Sequence, residues 1–352
     1  MNDNWWIFAA ELLVVILAIF MGTRTSGIGL GVWGLVGVAV LIFVFGETPG
    51  SAPVDAVFIV ITVITAASVM QAAGGIDWMV SVAAKVIRRR PKSVVFLAPA
   101  MSFLFTVGAG TGNIFYPLLP VIYDVSYQQR IRPERALSVS AVASQVGILC
   151  SPVSAATASM VVLLAPQGVD LGALLLIMWP ASIAGLLVAS LVMVRHGKDL
   201  EDDPEFQRRL AEHQIQPPAV DAREKTLPRT AVLSASIFLA GVGVIVLFGL
   251  FSGLRPIIGV DDDGDPVRLS VTVIIEVVMG VIAALIFVTC KVKASDVPKQ
   301  STFPAGMVGA IALFGIAWLA NTFVAANNQL IVDSLGAVVS GSSAFIGALL
   351  FA

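Results

Sequence analysis

Residues 108–120 read GAGTGNIFYPLLP, with three glycines, a threonine and an asparagine in the first six positions of this stretch of an apolar region. Glycine in a helix interior costs about 1 kcal/mol relative to alanine. Non-helical backbone at membrane depth is tolerated only where it is buried in protein or lines a watery cavity. What surrounds the patch, and from which side the chain reaches it, therefore decides the fold.

The surroundings are membrane. Of the 352 residues, 57% are hydrophobic and 12% charged, and the mean hydropathy is +0.93; an ordinary soluble domain is about 25% charged. Long apolar runs recur along the whole length, which implies an all-α polytopic membrane protein embedded in a lipid bilayer. The net charge of −2 points to no nucleic-acid partner. Cys150 and Cys290, both in apolar stretches, read as core thiols rather than a disulfide or metal pair. The start, MNDNWWIFAAELLVVILAIF, lacks a basic leader and a small-residue cleavage site. It reads as a first span with Trp5 and Trp6 at the interface.

Spans are expected over 5–21, 27–45, 54–73, 171–194, 230–252, 269–290 and 304–326, given the ~20 apolar residues a crossing helix needs. Basic residues concentrate in 74–92, 124–136, 195–229 and 291–303, and are missing from 46–53, 166–170 and 327–342. One orientation fits: basic loops cytoplasmic, N-terminus outside, hence periplasmic in a bacterium. In the loop 195–229, Asp203 followed by Pro204 predicts the capped start of a short solvated helix. DDDGD at 261–265 lacks the alternating ligands and closing Glu of a calcium loop and reads as a solvated turn.

Region 93–123 has 31 residues, too long for one span and too short for two, and both flanks are basic. It is expected to be a re-entrant hairpin with residues 108–113 at its tip. Gly110 and Gly112 let backbone N–H groups approach a ligand, Thr111 and Asn113 add donors, and the half-helix that follows starts with partial positive charge. A glycine-rich packing seam between helices is the alternative. Region 137–165 crosses with Ser151–Pro152 near its middle. Proline removes an N–H and frees carbonyls; with Ser144, Gln145, Ser154, Thr157 and Ser159 around it, this reads as a broken crossing helix beside the hairpin tip. Its unwound turn would bind a carboxylate, or a cation through freed carbonyls; the alternative is a proline kink with serines bonded to their own helix. The nine candidates for substrate binding are thus Gly110, Thr111, Gly112, Asn113, Ser144, Gln145, Ser151, Pro152 and Ser154. Discontinuous helices meeting near the midplane are the usual build of secondary-transporter sites.

The order of elements suggests an inverted repeat: residues 1–194 as a first transmembrane repeat, 195–229 as a cytoplasmic loop, and 230–352 as an incomplete second repeat. On that reading the apolar tail 344–352 opens a second hairpin, and a further C-terminal piece of roughly 80–100 residues is expected. Glu11 and Glu276, carboxylates inside predicted spans, are functional suspects for a cation or proton, whereas Gln71 and Asn321 read as helix–helix hydrogen-bonding residues. His196 and His213 both lie in the polar loop. With no HExxH motif and no intramembrane Ser–His pair, no enzyme, cofactor or metal is expected.

Five stretches resemble the anaerobic C4-dicarboxylate transporter (Dcu) family: GGIDWMVSVAAKVIRRRPK at 74–92, GTGNIFYPLLPVIYDV at 110–125, IRPERALSVSAVASQVGILCSPVSAA at 131–156, GKDLEDDPEFQ at 197–207 and FGIAWLANTF at 314–323. The resemblance covers essentially the whole chain. It implies a secondary transporter that exchanges C4-dicarboxylate anions such as fumarate, malate, aspartate and succinate across the bacterial inner membrane. A homo-oligomer and a coupling ion, Na⁺ or H⁺, stay open as partners, as does the alternative of a truncated, non-transporting fragment or partner protein. Family members often carry His after the GTG, where this chain has Asn113, which keeps a donor but does not titrate near neutral pH.

Overall fold

The computed structural model describes residues 4–164, 167–212, 227–260 and 264–341; His213 and the tail 344–352 lie outside them. Among the described residues there are thirteen α-helices and one two-stranded β-hairpin. Seven helices are long and apolar enough to cross a membrane, so this is an all-α polytopic membrane protein. The chain divides into two compact units, Met1–Val57 with Met307–Ala352, and Phe58–Gly306.

The first unit holds α1 (Asn4–Thr25), α2 (Gly29–Phe43), the start of α3 (Val54–Ala72) and most of α13 (Thr302–Gly341). Helix α2 has 15 residues, shorter than the span expected over 27–45. Gly31 and Gly34 pack on the backbone of α13 at Ile311 and Gly315, leaving no room for a Cβ. This close approach is how small residues drive helix association in lipid, where no hydrophobic force does so. Around the seam Ala18, Val38, Leu41, Leu319 and Phe323 form the core. Helix α13 continues through 327–341, which the sequence suggested as a loop. Its polar Asn327 is used internally: Nδ2 donates to the Glu11 carboxylate and to the Phe323 carbonyl. Asn321 Nδ2 donates to Ser51 O at 2.9 Å, bonding across elements as expected.

The second unit contains α4 (Gly75–Arg89), α5 (Val94–Ala109), α6 (Phe115–Gln128), α7 (Pro133–Leu149), α8 (Ala155–Leu164), α9 (Leu171–Val194), α10 (Pro204–Ala211), α11 (Arg229–Leu250) and α12 (Val271–Cys290), with β1 (Ile257–Val260) and β2 (Pro266–Arg268). Helix α4 occupies the segment taken from sequence only as a basic cytoplasmic stretch. It buries Ile76, Met79, Ala83 and Ile87, one stripe at helical spacing, and exposes Lys85, Arg88 and Arg89. The two strands pair antiparallel, and Gly264, just before β2, has φ +87°; residues 261–263 of the expected acidic turn lie outside the described residues. Asp170 caps α9 through the Ala173 N–H at 3.0 Å and receives Arg255 Nη2 at 2.9 Å. Burial raises the Asp170 carboxyl, but the Ala173 N–H and the Arg255 guanidinium outweigh it and hold the group below the usual carboxylate range.

The loop after α9 clasps the elbow between α6 and α7. Arg135, 7% exposed, donates to His196 O at 2.7 Å and Gly197 O at 2.9 Å, and pairs with Asp199 at 2.8 Å. Arg132 pairs with Asp203 at 3.2 Å, and Leu200 N–H donates to Arg130 O at 3.1 Å. Asp203 also caps α10 through the Glu205 and Phe206 N–H groups, as the sequence indicated. Arg135→Ala removes a planar fork and leaves two carbonyls unpaired. It is expected to destabilise the protein by about 2–4 kcal/mol, the range for charged hydrogen bonds and broken buried pairs. Arg135→Lys recovers less than half of that, because an ammonium cannot fork. Unfolding of the three proteins in detergent micelles checks both values.

Candidate functional site

Two helix breaks meet inside the second unit. Helix α5 stops at Gly110, whose φ of +70° is a left-handed cap that glycine adopts without cost. Thr111 is extended (φ −143°, ψ 136°), and its Oγ1 accepts the Asn113 N–H at 3.3 Å. A single 3₁₀ turn, Gly112–Ile114, then leads into α6. Helix α7 stops at Leu149, and the chain is non-helical until α8 opens at Ala155.

Contacts fix the directions. Phe103 and Thr106 lie against Gly147, and Gly110 lies against Val153, while Ser151 Oγ donates to Val107 O at 2.7 Å. Both sequences advance together, so α5 and α7 run the same way and break at the same level. Helix α6 starts where Gly112 meets Ser144 and Ile148 and ends just before α7 begins, so it runs back along α7. The chain between α5 and α7 is therefore a helical hairpin with residues 110–114 at its turn. Its limbs of 16 and 14 residues span about 24 and 21 Å, less than the ~30 Å hydrocarbon core. With its leading 3₁₀ turn, the run 91–109 is by length and apolarity alone a candidate span, and α6 returns from its end.

Beside the turn is a cavity of about 240 Å³. Of the nine sequence candidates, Gly110, Thr111, Gly112, Asn113 and Gln145 line it. Ser144, Ser151, Pro152 and Ser154 are buried behind it, and the three serine hydroxyls hold the breaks together. Ser144 Oγ donates to Gly112 O at 3.3 Å, and Ser154 Oγ accepts the Thr157 N–H at 3.1 Å, capping α8. The carbonyls freed at the α7 break are also occupied. Leu149 O accepts Thr157 Oγ1 at 2.8 Å, Cys150 O accepts Trp179 Nε1 at 2.8 Å, and Ser151 O accepts Ser154 Oγ at 3.3 Å. By contrast, the side-chain amides of Asn113 and Gln145 make no hydrogen bond among the described residues, and Thr111 keeps its hydroxyl proton free to donate. No lining residue is charged. Neutral donors beside a helix start can hold an anion by oriented dipoles, and discontinuous helices meeting at one point are the pattern of secondary-transporter sites.

The model of the family described as anaerobic C4-dicarboxylate membrane transporter matches residues 7–352. The chain belongs to this family. It is 35% identical over 342 residues to the anaerobic C4-dicarboxylate transporter DcuB of Escherichia coli O157:H7, covering 95% of this chain and 75% of that protein. It is 36% identical to the C4-dicarboxylate transporter DcuA of Escherichia coli K12, over 98% of this chain and 78% of that protein. To the C4-dicarboxylate transporter DcuA of Helicobacter pylori it is 37% identical, over 89% and 70%. No solved structure matches the chain. The family is one of membrane transporters, not of enzymes.

In this member of the transporter family the cavity also uses residues the sequence did not single out. Tyr116, the second residue of the return limb, lines it as well; Val63, Ile64 and Ala67 of α3 supply an apolar wall, and Thr302, Ala305 and Gly306 at the start of α13 also line it. Tyr116 was legible as an aromatic after a glycine-rich turn. Thr302 was not, since nothing local links it to a turn nearly two hundred residues earlier.

Proposed function

We propose that this chain is a secondary transporter of C4-dicarboxylates in the bacterial inner membrane, exchanging anions such as fumarate, malate, aspartate and succinate. The observation that carries the reading is the uncharged cavity where the α5–α6 turn meets the α7–α8 break, in a chain of this family. Its 240 Å³ would hold about eight waters at ~30 Å³ each, room for a solute of four carbons and four carboxylate oxygens. Asn113, Gln145 and Thr111 donate to one carboxylate, assisted by the N-terminus of α6. Neutral donors bind a dianion firmly enough to select it and weakly enough to release it on the far side. The basic residues exposed on α4 and around the α6–α7 elbow support a periplasmic N-terminus and a hairpin entering from the cytoplasm.

The test is counterflow. Purified full chain in vesicles loaded with unlabelled succinate should accumulate labelled fumarate transiently, and vesicles loaded with acetate should not. Equal uptake in both, or none in either, would end the exchange reading.

A further inference from the structure

Gln71, in the last turn of α3, bridges to the start of α13. Its Oε1 accepts two donors from one residue, the Thr302 N–H at 3.1 Å and the Thr302 hydroxyl at 2.6 Å, and its Nε2 donates to Ser301 Oγ at 2.9 Å. Thr302 is 5% exposed and lines the same cavity as Thr111, Asn113 and Gln145. A hydroxyl and a backbone N–H converging on one oxygen are the pair that a carboxylate oxygen accepts. Asn113 and Gln145, whose carboxamides make no hydrogen bond among the described residues, line the same cavity. A dianion has two charged ends, and the turn accounts for one.

We propose that Thr302 receives the second carboxylate, and that the Gln71 carboxamide oxygen is a built-in stand-in that substrate displaces. This rests on the dicarboxylate reading above. Gln71 satisfies the Thr302 donors, which would otherwise be buried unpaired. When a dicarboxylate arrives, its oxygen takes over both bonds and Gln71 swings aside. Gln71 is then a specificity-determining residue: the competition acts only on solutes with a second acceptor end.

Two variants of the full chain in vesicles test this by opposite signs. Gln71→Glu places a fixed carboxylate on Thr302 that binds more firmly and repels the incoming anion. The fumarate concentration for half-maximal counterflow should rise at least tenfold. Gln71→Met removes the acceptor at similar volume, and the same concentration should fall severalfold. Inhibition by butyrate, which has one carboxylate, should change less than threefold in both. A bridge that merely joins two helices gives the other pattern, with Glu conserving both bonds and transport, and Met weakening both. A half-saturation within twofold of wild type in Gln71→Glu overturns the proposal. So does an unchanged or raised value in Gln71→Met, or an equal change for butyrate; should the Glu variant not reach the membrane, the Met variant decides alone. Absence of counterflow in the wild type strikes the functional reading instead.

Discussion

Gly110→Val should reduce dicarboxylate counterflow by more than a hundredfold. The residue sits at φ +70°, where an L side chain costs about 1–2 kcal/mol and a β-branched one more. A Cβ there would stand 2.6 Å from Val153 O and 3.1 Å from the Val153 carbonyl carbon. Those atoms belong to the broken segment of the neighbouring helix, not to a flexible side-chain end. The substitution must therefore push the two breaks apart and distort the cavity between them. Gly108→Ala is the control. It has no left-handed φ and meets only the Leu239 Cδ2 methyl within 3 Å, which can rotate away. Counterflow rates of the two variants, normalised to protein in the vesicles, check the contrast. Wild-type rates in Gly110→Val would remove the crossing of the breaks from the mechanism.

Asn113→Asp should be nearly as damaging, through charge and not shape. The cavity wall holds no charged residue, so nothing there compensates an added carboxylate. At about 5 Å and an effective dielectric near 20, two like charges repel by about 3 kcal/mol. That corresponds to a loss of about a hundredfold in kcat/KM for a dicarboxylate, with the protein folding normally because the side chain keeps its size. Glutamate at Gln145 should act the same way. Labelled fumarate uptake at subsaturating concentration reads both. A loss of less than fivefold in Asn113→Asp would place the bound carboxylates elsewhere.

Much of the fold was legible because lipid leaves few options. Apolar runs of about 20 residues must be helices, and the boundaries of α1, α3, α9, α11 and α12 lie close to those expected from hydropathy. Breaks at residues 110 and 150 were legible too, since a glycine cluster and a Ser–Pro pair both weaken a helix. Misreadings arose where a helix serves something other than lipid. Helix α4 hides a four-residue apolar stripe among basic residues, so its average polarity resembles a loop. The stretch 327–341 contains Asn327, Asn328 and Gln329, yet it stays helical, with Asn327 bonded to the buried Glu11 carboxylate.

The candidate site was half legible. Sequence identifies hydroxyls and carboxamides near a break but not which way they point. Ser144, Ser151 and Ser154 turn inward because freed carbonyls and N–H groups at a dry break need partners immediately. Asn113 and Gln145 are left facing the cavity because other groups have already satisfied the backbone around them.

The sequence by itself determined that the chain lives in a bilayer, where two of its helices break, and to which family it is related, because hydropathy, helix-breaking residues and extended motif matches are local properties. Only the tertiary structure decided that the two breaks sit at one level, that the 195–207 loop clasps the hairpin elbow, and that Gln71 of α3 occupies the donors of Thr302. Each of these depends on how distant segments satisfy one another's polar groups where water is scarce, and no local pattern records that.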